Sequence, residues 1–139
     1  MGYRSSVASV VYTWEENEWP VLKLFVEENF PKGELAECIE PFKSERTSIM
    51  RGYVRSYWGY KFTCDDVKWY DSYEFVKDFN KFTQRLCILI DGEGLGIDRK
   101  ENWAYEFVRI GEELDDVERE GAGDHAFLID VSRSFHFNI

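Results

Sequence analysis

Residues 71–86, DSYEFVKDFNKFTQRL, carry the clearest structural signal of the chain. Asp71 and Glu74 stand three residues apart, which is the spacing of a capping box at the start of a helix. Apolar residues then recur every three or four positions, as on the buried face of an α-helix: Phe75, Phe79, Phe82, Leu86 and Leu89. The sequence therefore predicts a helix from Asp71 to at least Leu86, while periodicity leaves open whether residues 87–90 continue it or form a strand.

A second helix is predicted between Asn17 and Pro31. Asn17 is a suitable N-cap, and Pro20 lies in the first turn, where its missing N–H costs little. The apolar residues at helical spacing are Val21, Leu22, Phe25, Val26 and Phe30. Residues 34–48 carry a weaker helical pattern, and we expect one or two further turns there, broken at Pro41.

The rest of the chain alternates between strand and turn signals. Residues 5–14 are rich in β-branched and aromatic side chains and contain no Gly or Pro, which predicts a strand. Residues 49–69 alternate in polarity and predict a hairpin that turns near Gly59 or at residues 65–66. The remaining predicted strands are residues 103–110, 114–120 and 127–137.

This order of elements predicts an α+β fold. The two helices would pack on one face of a mostly antiparallel sheet. The expected topology is a ferredoxin-like, split βαβ core with an added C-terminal β meander. No repeat or linker divides the sequence, so we expect residues 1–139 to form a single domain. Its 44% apolar residues, with 17% aromatic residues overall, can supply a sizeable core.

Charge and cysteine content limit the classes of function. The chain holds 27 acidic and 17 basic residues, for a net charge of −10, and is therefore repelled by phosphate backbones and anionic membranes. This argues against nucleic acid and membranes as partners. Cys38, Cys64 and Cys87 form no C-x-x-C pair, which favours reduced thiols and a cytoplasmic location. We see no membrane span or signal peptide.

Three strings in the chain are distinctive: MGYRS at residues 1–5, VKWYDSY at 67–73 and YEFVRIGE at 105–112. In this order they resemble a group of small uncharacterised proteins of tailed bacteriophages and prophages. Residues 32–50 and 87–102 fit the resemblance less well and look like insertions. The strings carry no known catalytic role. The resemblance therefore implies a viral origin, with the host cytoplasm as the location, and an architecture rather than an activity.

No catalytic, metal or cofactor motif withstands inspection. His125 and His136 lie 11 residues apart with no neighbouring ligand, so they do not predict a zinc site. The loop after residue 90 resembles a calcium-binding loop but has Leu95 and Asn102 at two ligand positions. Ser134 and His136 share a strand face about 7 Å apart, too far for a direct hydrogen bond. We therefore expect a non-enzymatic protein without metal or cofactor.

Charge segregation is the strongest binding signal. Residues 111–124 hold seven acids and one cation, whereas residues 41–61 hold five cations and one acid. The acids should lie at the surface, since a buried unpaired charge costs several kcal/mol. The predicted docking acids are Glu112, Glu113, Asp115, Asp116, Glu118 and Glu120.

Two interpretations of these acids stay open. A solvated edge strand can carry acids simply to prevent aggregation. Alternatively, an accessory protein could use them to bind a basic partner, such as a protein that handles nucleic acid. In a homodimer, the basic strand at residues 51–61 of a second copy would be the partner.

A different binding function is suggested by Arg51, Tyr53, Arg55 and Tyr57, which share one face of a predicted strand. Interleaved cations and aromatic rings suit base stacking and phosphate contacts, as in a nucleotide or single-stranded nucleic-acid binding module. The sequence after Tyr53 departs from the RNA-recognition signature. An exposed strand face with cross-strand cation–π pairs explains the same pattern.

Overall fold

A computed structural model describes residues 2–48, 52–92, 99–113, 115–123, 128–131 and 135–137. These residues contain two α-helices, α1 (Trp19–Asn29) and α2 (Glu74–Asp91), with short 3₁₀ turns at Glu16–Glu18 and Ala36–Cys38. The strands are β1 (Ser5–Thr13), β2 (Ile39–Ser48), β3 (Tyr53–Val67), β4 (Trp103–Ile110), β5 (Val117–Ala122), β6 (Ile129–Val131) and β7 (Phe135–Phe137).

Five strands form one sheet in the order β2-β3-β1-β4-β5, and every neighbouring pair is antiparallel. The segment between β1 and β2 contains α1, and the segment between β3 and β4 contains α2. In both cases one strand lies between the two strands that the helix connects. The predicted α+β class, antiparallel sheet and two helices are therefore confirmed.

One face of the sheet packs against both helices, and we call it the helix side. Leu22 and Val26 of α1 and Phe79 and Leu86 of α2 are buried there with Val11 of β1 and the sheet residues around it. Rings pack in this layer at centroid distances of 5.1 Å for Phe62 and Phe79 and 5.2 Å for Phe30 and Phe82. The apolar residues at helical spacing in α1 and α2 therefore face the sheet as predicted. Among them, Val21 is 42% exposed, and Phe25, Phe75 and Leu89 are partly buried.

The opposite face packs against β6 and β7, and we call it the hairpin side. Leu128 and Ile129 are buried there against the alternate residues of β1, such as Tyr12. Glu106 is also buried, at 5% exposure, and its Oε2 accepts hydrogen bonds from the Tyr12 hydroxyl at 2.7 Å and the Leu128 N–H at 3.1 Å. The predicted single strand at 127–137 was wrong, because β6 and β7 form a separate two-stranded sheet.

Two further predictions were wrong in part. Of the helical turns predicted for residues 34–48, the structure has a 3₁₀ turn at Ala36–Cys38, whereas residues 39–48 form β2. Pro41 is tolerated because β2 is an edge strand of the described sheet. Residues 53–67 form one long strand rather than a hairpin that turns near Gly59 or at residues 65–66. Gly59 serves a close approach, since a Cβ there would collide with the backbone of Val11 and Tyr12.

The helix boundaries differ slightly from the predicted ones. The α2 helix begins at Glu74 rather than Asp71, with no side-chain cap. It continues through residues 87–90 and ends at Asp91, followed by the capping residue Gly92, whose φ of 71° is left-handed. The α1 helix has Pro20 in its first turn as predicted, but Asn17 lies in the preceding 3₁₀ turn and is not the N-cap. The β4 boundaries are as predicted, while β5 begins and ends later than residues 114–120.

Candidate functional site

Arg109 organises the acidic segment from the end of β4. Its guanidinium donates two hydrogen bonds to Asp116, from Nη2 to Oδ1 at 2.7 Å and from Nη1 to Oδ2 at 3.1 Å. Its Nε donates to Oε2 of Glu118 at 3.2 Å. The hydrogen bonds from Arg109 lower the pKa of the Asp116 carboxyl below its ordinary value. Arg109 thus has two acidic partners and little charge left for a ligand.

The N-terminal residues fasten the same segment from the other side. The Tyr3 hydroxyl donates to Asp116 at 2.6 Å and accepts from the Glu113 N–H at 3.2 Å. The hydrogen bond to Asp116 raises the pKa of Tyr3. The Arg4 N–H donates to Oε1 of Glu112 at 2.7 Å. These contacts join residues more than 100 positions apart, so no local sequence pattern predicts them.

The structure places the six predicted docking acids at the surface, with Asp116 half-buried and the others exposed. They are not equivalent. Asp116 and Glu118 are bound by Arg109, and Glu112 caps a backbone N–H. Within the described residues no cation lies at ion-pair distance from Glu113, Asp115 or Glu120. Glu113, Asp115 and Glu120 are therefore exposed acids that no described cation neutralises.

A cleft of about 480 Å³ opens on the helix side between α2 and the strands β4 and β5, and we call it the α2–β5 cleft. The antiparallel register sets Phe107 opposite Glu120 and Arg109 opposite Glu118, so alternate residues of both strands line it. The loop before α2 and the helix complete the lining with Trp69, Tyr70, Asp71, Phe79 and Asn80.

The cleft extends along the edge of the sheet. A second depression of about 580 Å³ continues beside β5 and shares Tyr105 and Glu120 with the first. Cys87 and Ile88 from the C-terminal half of α2 line this part. Together the two depressions follow β5 over much of its length.

The electrostatics of the cleft favour a cation. Asp71, Glu118 and Glu120 line it against the single cation Arg109, whose charge Asp116 already balances. The pKa of Glu120 is raised, chiefly by partial burial and then by the neighbouring Glu118 carboxylate. A carboxyl in that position is incompletely solvated and faces a like charge. A cationic group would relieve both penalties.

The three sequence strings quoted above converge on this region. Tyr3 from the first string touches the Arg109 network, Trp69 and Tyr70 from the second line the cleft, and Phe107 and Arg109 from the third face them. The sequence predicts the acids but not the cleft. The pattern that could have indicated the cleft is the alternation of side chains at 105, 107 and 109 on one strand and at 118 and 120 on the next, which places all five on one face of the sheet.

The alternative stacking face is only partly described, since Arg51 and the side chain of Tyr53 lie outside the described residues. Tyr57 is 5% exposed and packs edge-to-face on Tyr12 at 5.3 Å. The prediction that Tyr57 is available to stack on a base was wrong, because the hairpin-side core extends beneath it. Arg55 lies over the Trp14 ring at 5.3 Å, a cation–π contact within the protein.

Other chemistry receives no support within the described part of the chain. No group of three or more His, Cys, Asp or Glu residues there is arranged to hold a metal ion. The predicted loop residues 93–98, His125 and Ser134 lie outside it. Cys38, Cys64 and Cys87 are half-buried, and burial together with the Cys38 thiol raises the pKa of Cys64 to about 11. No described helix has the length and apolarity to cross a membrane.

Comparison of the chain with known protein families, curated proteins and solved structures found no match.

Proposed function

We propose that the protein is a non-enzymatic accessory protein that binds a basic protein partner through its acidic surface. The observation that carries the proposal is the exposure of Glu113 and Asp115 in the β4–β5 connection and of Glu120 on β5, none of which has a cation partner among the described residues. Arg109 and Tyr3 hold the segment in place, so the acids are presented on a fixed support.

The energetics call for several contacts acting together. A single exposed ion pair contributes about 0.2–1 kcal/mol, so one acid cannot hold a partner. A patch of like charges also speeds association with an oppositely charged partner and makes binding sensitive to salt. An acidic surface of this kind suits a partner whose own surface is strongly basic.

Proteins that handle nucleic acid are the partner class with such a surface, because their grooves are lined with Lys and Arg. The acidic surface would compete with nucleic acid for that groove. Pairing with the basic strand of a second copy is less well supported, since Arg55 lies over Trp14 and Lys61 pairs with Glu40 at 3.2 Å. We place the protein in the cytoplasm, and in the host cytoplasm if it is phage-encoded.

The proposal is tested with a labelled lysine- and arginine-rich peptide as the probe, read by fluorescence anisotropy. We expect binding at about 0.1 M salt that weakens towards about 1 M, where the Debye length falls from about 10 Å to about 3 Å. The double variant Glu113→Gln, Asp115→Asn should bind more weakly. The matched control Glu28→Gln, Glu37→Gln changes two exposed acids elsewhere and should bind like the wild type.

Two results would contradict the proposal. One is an absence of peptide binding at low salt, and the other is tighter binding to a single-stranded oligonucleotide than to the peptide. Light scattering across the same salt range tests self-association, because a homodimer held by the two charged strands should dissociate as salt rises.

We further propose that β1 to β4 and the two helices form a ferredoxin-like, split βαβ core to which β5 is added. The strand order and the antiparallel pairing support this, since β1 and β2 run parallel with β3 between them, and β3 and β4 run parallel with β1 between them. We also propose a bacteriophage or prophage origin, supported by the three strings. Genes for phage proteins beside this gene would be the expected observation.

A further inference from the structure

We propose that the α2–β5 cleft receives lysine or arginine side chains from an extended segment of the partner that lies along β5. This inference rests on the proposed function, because it specifies which part of the acidic surface the basic partner occupies and in which conformation. It is carried by the position of β5, the alternation of its side chains and the lining of the cleft.

The β5 strand is the last strand of the described sheet and pairs with β4 alone. Its outer edge can therefore accept a further strand through main-chain hydrogen bonds, as in β-strand addition. An extended segment there would point every second side chain to the helix side. Those side chains would enter the space between β5 and α2.

The helix-side residues of β5 are Glu118, Glu120 and the buried Ala122, and the two acids line the cleft. Residues directly across from each other on neighbouring strands lie about 4.5–5.5 Å apart at Cβ, so basic residues at alternate positions would oppose these acids. The other side of β5 carries Val117 and Arg119, with Arg119 donating to the Ile129 carbonyl at 3.5 Å. The intervening residues of the partner need no positive charge.

The cleft also suits the body of a basic side chain. Trp69, Tyr70 and Phe107 supply aromatic surface against which an aliphatic stem or a guanidinium can pack. Trp69 is held by Phe79 at a centroid distance of 5.3 Å, so its ring is fixed before a ligand arrives. The Asn80 side chain adds a neutral hydrogen-bonding group on the α2 wall.

The test compares two short peptides of identical composition. In one, lysine and threonine alternate, whereas in the other the lysines form a block followed by the threonines. Affinity is measured by anisotropy at low salt, and hydrogen exchange of the β5 amides is followed by NMR. We expect the alternating peptide to bind several-fold more tightly and to slow exchange in β5.

Variants locate the side-chain contact. Glu120→Gln and Asp71→Asn should each weaken binding of the alternating peptide by about 1.5-fold to fivefold, the range of a single exposed ion pair. Glu28→Gln, on the exposed side of α1, should leave affinity unchanged. Melting curves check that each variant is folded. The exchange measurement on the wild type decides the matter even if a variant fails to fold.

The outcomes separate this inference from the proposed function. If both peptides bind equally, and Glu113→Gln, Asp115→Asn weakens them while Glu120→Gln does not, the cleft is overturned and the acidic surface stands. If lysine amide or spermidine binds as tightly as the peptide, the site takes small amines and strand addition is overturned. If no basic peptide binds, the proposed function and this inference fail together.

Discussion

The two faces of the sheet at β4 differ in the hydrogen-bond donors that they offer to a carboxyl group. On the hairpin side, Glu106 is buried and its oxygen accepts from Tyr12 and Leu128. On the helix side, Glu120 of the neighbouring strand stands opposite Phe107 at the cleft, with a raised pKa and another acid beside it. The difference teaches that acid content alone does not identify a binding surface. What matters is whether the fold supplies donors to the carboxyl group.

Phe79→Ala should have the largest effect on stability, because Phe79 is the buried floor beneath the cleft. Its side chain is 1% exposed and packs on Phe62, Trp69 and Phe107. Removing such a ring costs about 3–5 kcal/mol of unfolding free energy. Denaturant unfolding measures it, with the exposed Val21→Ala as control. A loss below about 1 kcal/mol would mean that this face is not a packed core.

Glu106→Ala should have the second-largest effect and lower the free energy of unfolding by about 2–4 kcal/mol. The variant leaves the Tyr12 hydroxyl and the Leu128 N–H without this acceptor, and each buried unsatisfied group costs about 1–3 kcal/mol. The matched change Glu120→Ala should alter stability by no more than about 0.5 kcal/mol, since no described donor or cation depends on it. Equal losses in the two variants would remove the distinction between the two sides.

The stripe residues Phe79 and Leu86 were predictable because burial repeats at the helical period along one continuous segment. Residues whose placement depends on a distant segment were not. The sequence suggests a turn at Gly59, but the glycine is needed because β1 passes close to it. The sequence also suggests that Tyr57 is exposed, but its side chain belongs to the hairpin-side core. Pro41 reads as a helix breaker unless β2 is known to be an edge strand.

The site shows the same limit. The acids of residues 112–120 were predictable from the sequence, and their surface position is confirmed. The sequence could not distinguish Asp116 from Asp115, because the difference lies in the pairing of Asp116 with Arg109 and with Tyr3, which is 113 positions away. The cleft was equally hidden, since its walls come from α2, the preceding loop and two strands.

Asp116→Asn should lower the melting temperature at neutral pH, whereas Asp115→Asn should leave it nearly unchanged. Arg109 lowers the folded-state pKa of Asp116, so its contribution is present above the unfolded-state pKa and is lost as pH falls through the folded-state value. The gap between the wild type and Asp116→Asn should therefore close on acidification. Calorimetry at several pH values measures it, and a gap that does not depend on pH would contradict the ion-pair interpretation.

The smallest effect concerns the titration of Glu120. Partial burial and Glu118 raise its folded-state pKa, so Glu120 favours the folded state below its unfolded-state pKa, and that contribution is lost as pH rises through the raised value. Glu120→Gln should consequently be neutral or slightly stabilising at neutral pH, by no more than about 0.5 kcal/mol.

A bound ammonium or guanidinium group acts in the opposite direction and lowers the pKa of Glu120. Binding of the alternating peptide near that pKa should therefore release protons, and affinity should grow as pH rises through it. Carboxyl-carbon NMR of Glu120 with and without peptide measures both values, with Glu118→Gln as the variant that brings the free value closer to the ordinary glutamate range. If the pKa of the Glu120 carboxyl stays the same when the peptide binds, the basic side chains lie elsewhere on the acidic surface.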